Sequence, residues 1–182
     1  MIQMEADNAR QGRPSGIIAK FNNLEDRQII EALYEASQAG VPVRLIVRGF
    51  SCLRPQVPGV SKNIILISIL GPYLEHSRIF YFRNGQNDEL DGRFFIGSAD
   101  WMTRNLLGRV EVCAPILDRA AREKIWEALQ IMLNDQRQAW EMGPEGHYVQ
   151  RTPVSDQSAL GCHEILSERA RVRNLLVKPT DT

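Results

Sequence analysis

Near its start the chain carries two short apolar runs on either side of one amphipathic stretch, and this restricts the fold more than any other feature. Gly16 to Phe21 (Gly-Ile-Ile-Ala-Lys-Phe) reads as a buried strand, and Pro42 to Val47 (Pro-Val-Arg-Leu-Ile-Val) reads as a second. Between them, Glu25 to Gln38 places Ile29, Ile30, Leu33 and Ala36 on one helical face, with Asn22 or Asn23 as the expected N-cap and Gly40 as the stop. Strand, helix and strand with short joints make a βαβ unit, because two parallel strands need a crossover between them. The fold class that follows is α/β, a sheet flanked by helices.

The rest of the chain extends this pattern. Asn63 to Leu70, Ile79 to Phe82, Arg93 to Ile96 and Glu111 to Leu117 are expected strands. Phe50 to Lys62, with Pro55, Pro58 and Gly59, must be a loop, and Asn84 to Gly92 a turn. Asp118 caps a long predicted helix, Arg119 to Asp135, with Ile125, Leu129, Met132 and Leu133 on one face. Ser155 to Arg173 reads as a helix with Leu160, Ile165 and Leu166 as its apolar positions, and Leu175 to Thr182 as a frayed tail. Met1 to Arg10 looks like a helix end without its beginning, so a longer parent protein is expected.

Charge is balanced, with 22 Lys and Arg against 22 Asp and Glu. No overall positive charge argues for a nucleic-acid partner or a membrane surface, so any anion site must be local. Cys52, Cys113 and Cys162 are odd in number and widely spaced, which fits neither a disulfide framework nor a zinc module. A reducing cytoplasm is the expected location. No apolar run approaches the ~18 residues of a transmembrane helix, so nothing indicates membrane association.

The chemistry concentrates where strands meet loops, which is where parallel α/β sheets collect ligands. His76 and Arg78 stand two apart in Leu74-Glu-His-Ser-Arg-Ile-Phe-Tyr-Phe; in extended chain they project from one face. An ordinary strand edge with a solvated histidine and arginine has the same spacing. Around them, Lys20 closes the first strand, Arg48 the second, and Arg54 lies in the next loop. Ser98 and Asp100 follow Ile96, and Arg104 comes shortly after. Forked guanidinium donors, a point-charge lysine and one proton-handling imidazole suit a phosphoryl group. Taken singly, each arginine also fits a surface ion pair.

Other residues attract weaker readings. His147 lies in a Gly-Pro-Glu-Gly turn and is expected to be solvated; His163, beside Cys162, lacks a matching ligand pair and is expected to be structural. Trp126 and Trp140 are expected in or near the long helix as packing groups. There is neither a phosphate-binding Gly-rich loop followed by Lys-Ser/Thr nor a Gly-x-Ser-x-Gly elbow.

Several segments resemble the C-terminal catalytic domain of bacterial polyphosphate kinases of the first type. They are Lys20-Phe-Asn-Asn-Leu-Glu-Asp, the run from Ile29 to Val41, Leu45-Ile-Val-Arg-Gly, Cys52-Leu-Arg-Pro, Leu74-Glu-His-Ser-Arg and Gly97-Ser-Ala-Asp-Trp-Met. The resemblance covers 1–153, a phospholipase-D-like domain with a mixed sheet flanked by helices; 154–182 would be a C-terminal helix and tail. It implies reversible transfer of the terminal phosphate of ATP to inorganic polyphosphate through a phosphohistidine, with this chain as the second of two phospholipase-D-like domains. His76 matches a histidine that contacts nucleotide phosphate and is proposed as a proton donor, and Arg48 matches an arginine that binds the nucleotide phosphates. Lys20, Arg54, Arg78, Ser98, Asp100 and Arg104 fall in matching motifs and are expected to line the site. The nucleophilic histidine and the magnesium-binding residues would belong to the preceding domain, so this chain would hold no metal ligands. The implied partners are ATP or ADP, polyphosphate and the upstream domains, in a homo-oligomer at full length.

Departures from the family pattern are Pro72, where a basic residue is expected, and Gln56, where glycine is expected. Against phospholipase-D-like hydrolases the departures are larger: His-x-Arg for His-x-Lys, Arg83 for the aspartate seven residues after the histidine, and Gly97-Ser98-Ala99-Asp100 for Gly-Ser-x-Asn. A phosphodiesterase or nuclease half-site, and a polyanion-binding remnant without catalysis, remain as alternatives at this point.

Overall fold

The structure is a computed structural model and describes residues 1–154 and 160–176. Its first strand is β1 (Ile17–Phe21), followed by α2 (Arg27–Gln38) and β2 (Val43–Val47), with α1 (Ile2–Arg10) before them. β1 and β2 pair in parallel with Ile17 opposite Val43, as a βαβ unit requires. Then come β3 (Ile64–Ile69), β4 (Ile79–Phe82), β5 (Arg93–Gly97), α3 (Thr103–Gly108), β6 (Cys113–Ile116), α4 (Arg119–Leu133), β7 (Ala139–Met142), β8 (Tyr148–Gln150) and α5 (Cys162–Leu176). Among the described residues eight strands form one mixed sheet, in the order β6-β5-β4-β1-β2-β3-β7-β8. β1, β2 and β3 are parallel, while β4 runs antiparallel to β1.

The central strands are apolar at nearly every position because both sheet faces are covered. On one face Ile17, Ala19, Phe21, Val43, Leu45 and Val47 pack with Leu33 and Ala36 of α2 and Ala6 of α1. On the other, Ile18, Ile46, Ile67, Ile69, Ile79 and Tyr81 pack with Leu129 and Met132 of α4 and Cys162 of α5. The two-residue period of a strand divides the chain between the faces. Leu33 is wholly buried, so Leu33→Ala would cost about 2–5 kcal/mol.

Several expectations change in detail. The cap of α2 is Asp26, whose carboxylate accepts from the Ile29 amide at 3.0 Å; Asn22 and Asn23 are occupied elsewhere. Asp118 caps α4 as expected, through the Ala121 amide. Trp140 lies in β7, not in or near the long helix, since the chain turns at Asp135 and pairs Ser68 opposite Trp140. The helix expected from Ser155 starts at Cys162, and residues 155–159 lie outside the described residues. Of the expected tail, Leu175 and Leu176 belong to α5, and 177–182 lie outside the described residues. Among the described residues no helix is long and apolar enough to cross a membrane.

Gln56, found where glycine was expected, has φ 60°, in the left-handed region that glycine occupies without strain. Its amide side chain donates to Glu141 at 2.8 Å.

Candidate active site

One edge of the sheet gathers the C-terminal ends of β1, β2 and β5 and the N-terminal ends of β4 and β6, because β4 runs back against β1. A cleft of about 430 Å³ opens there, lined by residues from all five strand ends. Arg48 comes from the end of β2, His76 and Arg78 from the loop before β4, and Ser98 and Asp100 from the end of β5. Arg104 and Asn105 come from α3, Arg109 and Glu111 from the approach to β6, and Asn22 and Asn23 from the end of β1.

Asp100 organises the cleft. It is 5% exposed, and its Oδ1 accepts from the Asn22 amide at 2.8 Å, the Asn22 side chain at 3.1 Å and Arg78 Nε at 3.1 Å. Arg78 Nη2 and the Asn23 side chain reach Oδ2 at 3.4 Å. The carboxylate thus fixes the guanidinium fork of Arg78 and joins the ends of β1 and β5. From that position Arg78 Nη1 donates to the His76 carbonyl at 2.9 Å and meets His76 Nδ1 at 2.8 Å.

A guanidinium has no lone pair to offer, so Nδ1 of His76 must be the acceptor in that contact. The neutral ring therefore carries its hydrogen on Nε2. The second nitrogen is left as a donor on an exposed ring at the cleft.

Four guanidinium groups face two carboxylates in the cleft. Arg78 is paired with Asp100 and Arg109 lies 3.6 Å from Glu111. Glu111 also accepts from Asn105 at 2.6 Å and from the Ser98 hydroxyl, and these contacts hold its carboxyl below the usual range. That leaves the cleft with positive charge from Arg48 and Arg104. Nη1 of Arg48 is buried and has no hydrogen-bond partner among the described residues. An orphaned buried donor on a cationic fork favours a ligand with anionic oxygens.

Two of the expected lining residues are elsewhere. Lys20 points from β1 beneath the loop before β4, where its ammonium meets Glu75 at 3.0 Å and the Ser77 carbonyl at 3.1 Å. It is 2% exposed and does not line the cleft. Burial pushes its pKa down, opposed by Glu75; burial would raise Glu75, but Lys20 and Ser77 outweigh it and hold that carboxyl low. Lys20 thus anchors the loop that carries His76. Arg54 is exposed, its backbone is tied to Tyr34 and Ser61, and its guanidinium lies near Gly146 in the β7–β8 turn, away from the cleft.

Sequence reasoning also missed members. Arg109 and Glu111 stand two apart before a strand, the same signal that singled out His76 and Arg78. Asn22 and Asn23 were absorbed by the capping argument. His147 is exposed in its turn, and His163 is buried in the first turn of α5. Arg83 closes the far end of β4 on Glu89, at 2.6 Å. Among the described residues no group of three or more His, Cys, Asp or Glu could hold a metal ion. The cleft carboxylates are engaged by guanidinium, amide and hydroxyl donors, a set that does not fit a resident Mg2+.

Comparison with known proteins bears on the family and the fold. Residues 1–160 match the family model described as polyphosphate kinase C-terminal domain 2. A polyphosphate kinase of Thermosynechococcus vestitus is 53% identical over 169 residues, covering 93% of this chain and 22% of that protein. One of Synechocystis is 51% identical over 170 residues, covering 93% of this chain and 23% of that one. The chain therefore spans under a quarter of the length of these two relatives. The crystal structure of polyphosphate kinase from Porphyromonas gingivalis superposes with a TM-score of 0.81 at 37% identity, over 94% of this chain and 26% of that chain. A phospholipase D family member, Nuc from Salmonella typhimurium, shares the fold alone, with a TM-score of 0.51 at 15% identity over 78% of this chain and 90% of that one. With a sheet of this topology, a cationic cleft at its edge and a match over residues 1–160, the chain belongs to the polyphosphate kinase C-terminal domain 2 family.

Proposed function

We propose that this chain is half of a phosphotransferase site, in which the terminal phosphate of ATP passes reversibly to inorganic polyphosphate through a phosphohistidine on a preceding domain. The observation that carries the reading is the buried Nη1 of Arg48, unpartnered among the described residues, in the same cleft as a histidine whose Nε2 is a hydrogen donor. Arg48, with Arg104, receives the phosphate oxygens of ATP, ADP or the polyphosphate end. Arg78 acts mainly by holding His76, and Asp100 acts through Arg78. To supply a proton from Nε2 to the oxygen that is released, His76 first takes up a second proton at Nδ1, with Arg78 Nη1 then held by the His76 carbonyl alone. The imidazolium gives up its Nε2 proton and returns to neutral, and a positioned general acid contributes typically about 10²–10⁴-fold. Phosphoryl transfer asks for little beyond such positioning and charge.

In this reading Mg2+ is held outside this chain, the upstream domains of the same enzyme are its partners, and the complete enzyme is a homo-oligomer of the cytoplasm. The catalytic domain occupies 1–153, with 154–182 as an appended helix and tail. The isolated chain then folds and binds phosphate chains but does not phosphorylate itself. Incubation with ATP followed by phosphohistidine detection tests this: no label is expected, and ATP-dependent label on His76 would sink the assignment of His76 as acid.

A further inference from the structure

We propose that His163, in the first turn of α5, is a positioning residue that fixes His76 by holding the loop between β3 and β4. The inference rests on the reading of His76 above. That loop has no regular structure, and Leu70, Gly71, Pro72, Tyr73, Leu74 and His76 are all exposed. Its shape therefore depends on a few ties. Leu70 donates to the Gln138 carbonyl at 2.9 Å, Lys20 takes Glu75 and the Ser77 carbonyl, and the Tyr73 amide donates to Nδ1 of His163 at 3.4 Å.

The imidazole is built into this place. Its own amide donates to the Gln138 side chain at 3.0 Å, and the preceding Cys162 amide donates to Asp135. A β-carbon on Gly71 would come within 2.4 Å of Nδ1, so the ring lies against loop backbone where only glycine fits. The Tyr73 ring packs over it, with centroids 5.5 Å apart.

His163 is 3% exposed, and its Nε2 is buried without a partner among the described residues. Nδ1 accepts from Tyr73, so the hydrogen sits on the orphaned Nε2. A buried orphan donor is destabilising, and a phenylalanine would fill the space without it. What the histidine adds over an apolar ring is the acceptor for the loop. Only Leu74 and Glu75 separate that tie from His76, and Glu75 is itself held by Lys20 at 3.0 Å. Slack at Tyr73 is therefore passed to the catalytic imidazole. α5 begins beyond residue 160, where the family match ends.

The chain has three histidines, so each imidazole can be followed separately by NMR while inorganic tripolyphosphate is added. His163→Phe keeps a ring and removes the acceptor; His163→Asn keeps an acceptor near the Nδ1 position. His163→Phe should shift and broaden the His76 signals even without ligand. Loss of one hydrogen bond's worth of ordering should weaken tripolyphosphate about three- to tenfold. His163→Asn should restore both. Unchanged His76 signals in His163→Phe, or an Asn variant that behaves like Phe, would overturn the proposal. If His76 of the unmodified chain ignores tripolyphosphate, the cleft assignment fails instead, and the ligand-free spectra of the variants still decide the role of His163. Should His163→Phe not fold, the 15N shift of His163 Nδ1 in the unmodified chain decides: an unprotonated acceptor supports the tie and an N–H nitrogen refutes it.

Discussion

Replacing Arg48 by methionine should move stability and binding in opposite directions. Methionine keeps most of the side-chain length and removes the guanidinium. Among the described residues nothing pairs with the buried Nη1 of Arg48, a state that costs roughly 1–3 kcal/mol for a fully enclosed donor. The side chain as a whole is only partly buried, so about 1 kcal/mol of relief is the reasonable expectation. For a chain of this size that raises Tm by about 2–4 °C. With a phosphate oxygen in place the same group makes a charge-assisted hydrogen bond of about 1.5–3 kcal/mol, so its loss should weaken tripolyphosphate or ADP about 10- to 150-fold. Screening by salt favours the lower half of that range. Differential scanning calorimetry and isothermal titration calorimetry on the same sample measure both effects. A variant that melts lower than the parent and binds tripolyphosphate equally well would refute the reasoning, because Arg48 would then be a packing residue.

Further outcomes follow from other contacts. In the full-length enzyme, His76→Ala should lower turnover by about 10²–10⁴-fold while nucleotide affinity changes far less, as steady-state kinetics and equilibrium dialysis would separate. Gln56→Gly should be more stable than Gln56→Ala by about 0.5–1 kcal/mol in urea melts, because both lose the contact to Glu141 and only glycine relieves the positive φ. Burial would raise the Asp135 carboxyl, but the amides of Cys162, Gln138 and Arg137 outweigh it and hold the pKa below the ordinary 3.8. Its contribution is therefore complete above that value and is lost as pH falls through the lowered native pKa. Acid melts should show this loss shrinking in Asp135→Asn.

Much of this was readable from the residues. The βαβ unit was legible because its strands are buried on both faces and its helix carries a regular stripe. Arg48 and Arg78 were legible because they adjoin strand ends, and His76 because it stands two residues from Arg78. Lys20 and Arg54 were misplaced for different reasons. At Lys20 the alternation of β1 turns the side chain under a loop, which no local pattern announces. Arg54 sits in a long irregular loop with no periodicity to orient it. β7 and β8 escaped notice because they are three to four residues long and pair through a turn, so their signal is tertiary. The exchange between Asp26 and the two asparagines shows how one residue type, Asn, serves caps and polar clefts alike.

Lys20 has a consequence for how the sheet assembles. It is a lone ammonium in an otherwise hydrocarbon strand, and it meets its carboxylate only when Ile18, Lys20 and Ile79 sit at their observed partners. A slip of one position would swing that charge into the layer occupied by Phe21 and Leu45. The centre of the sheet thus carries its own alignment key.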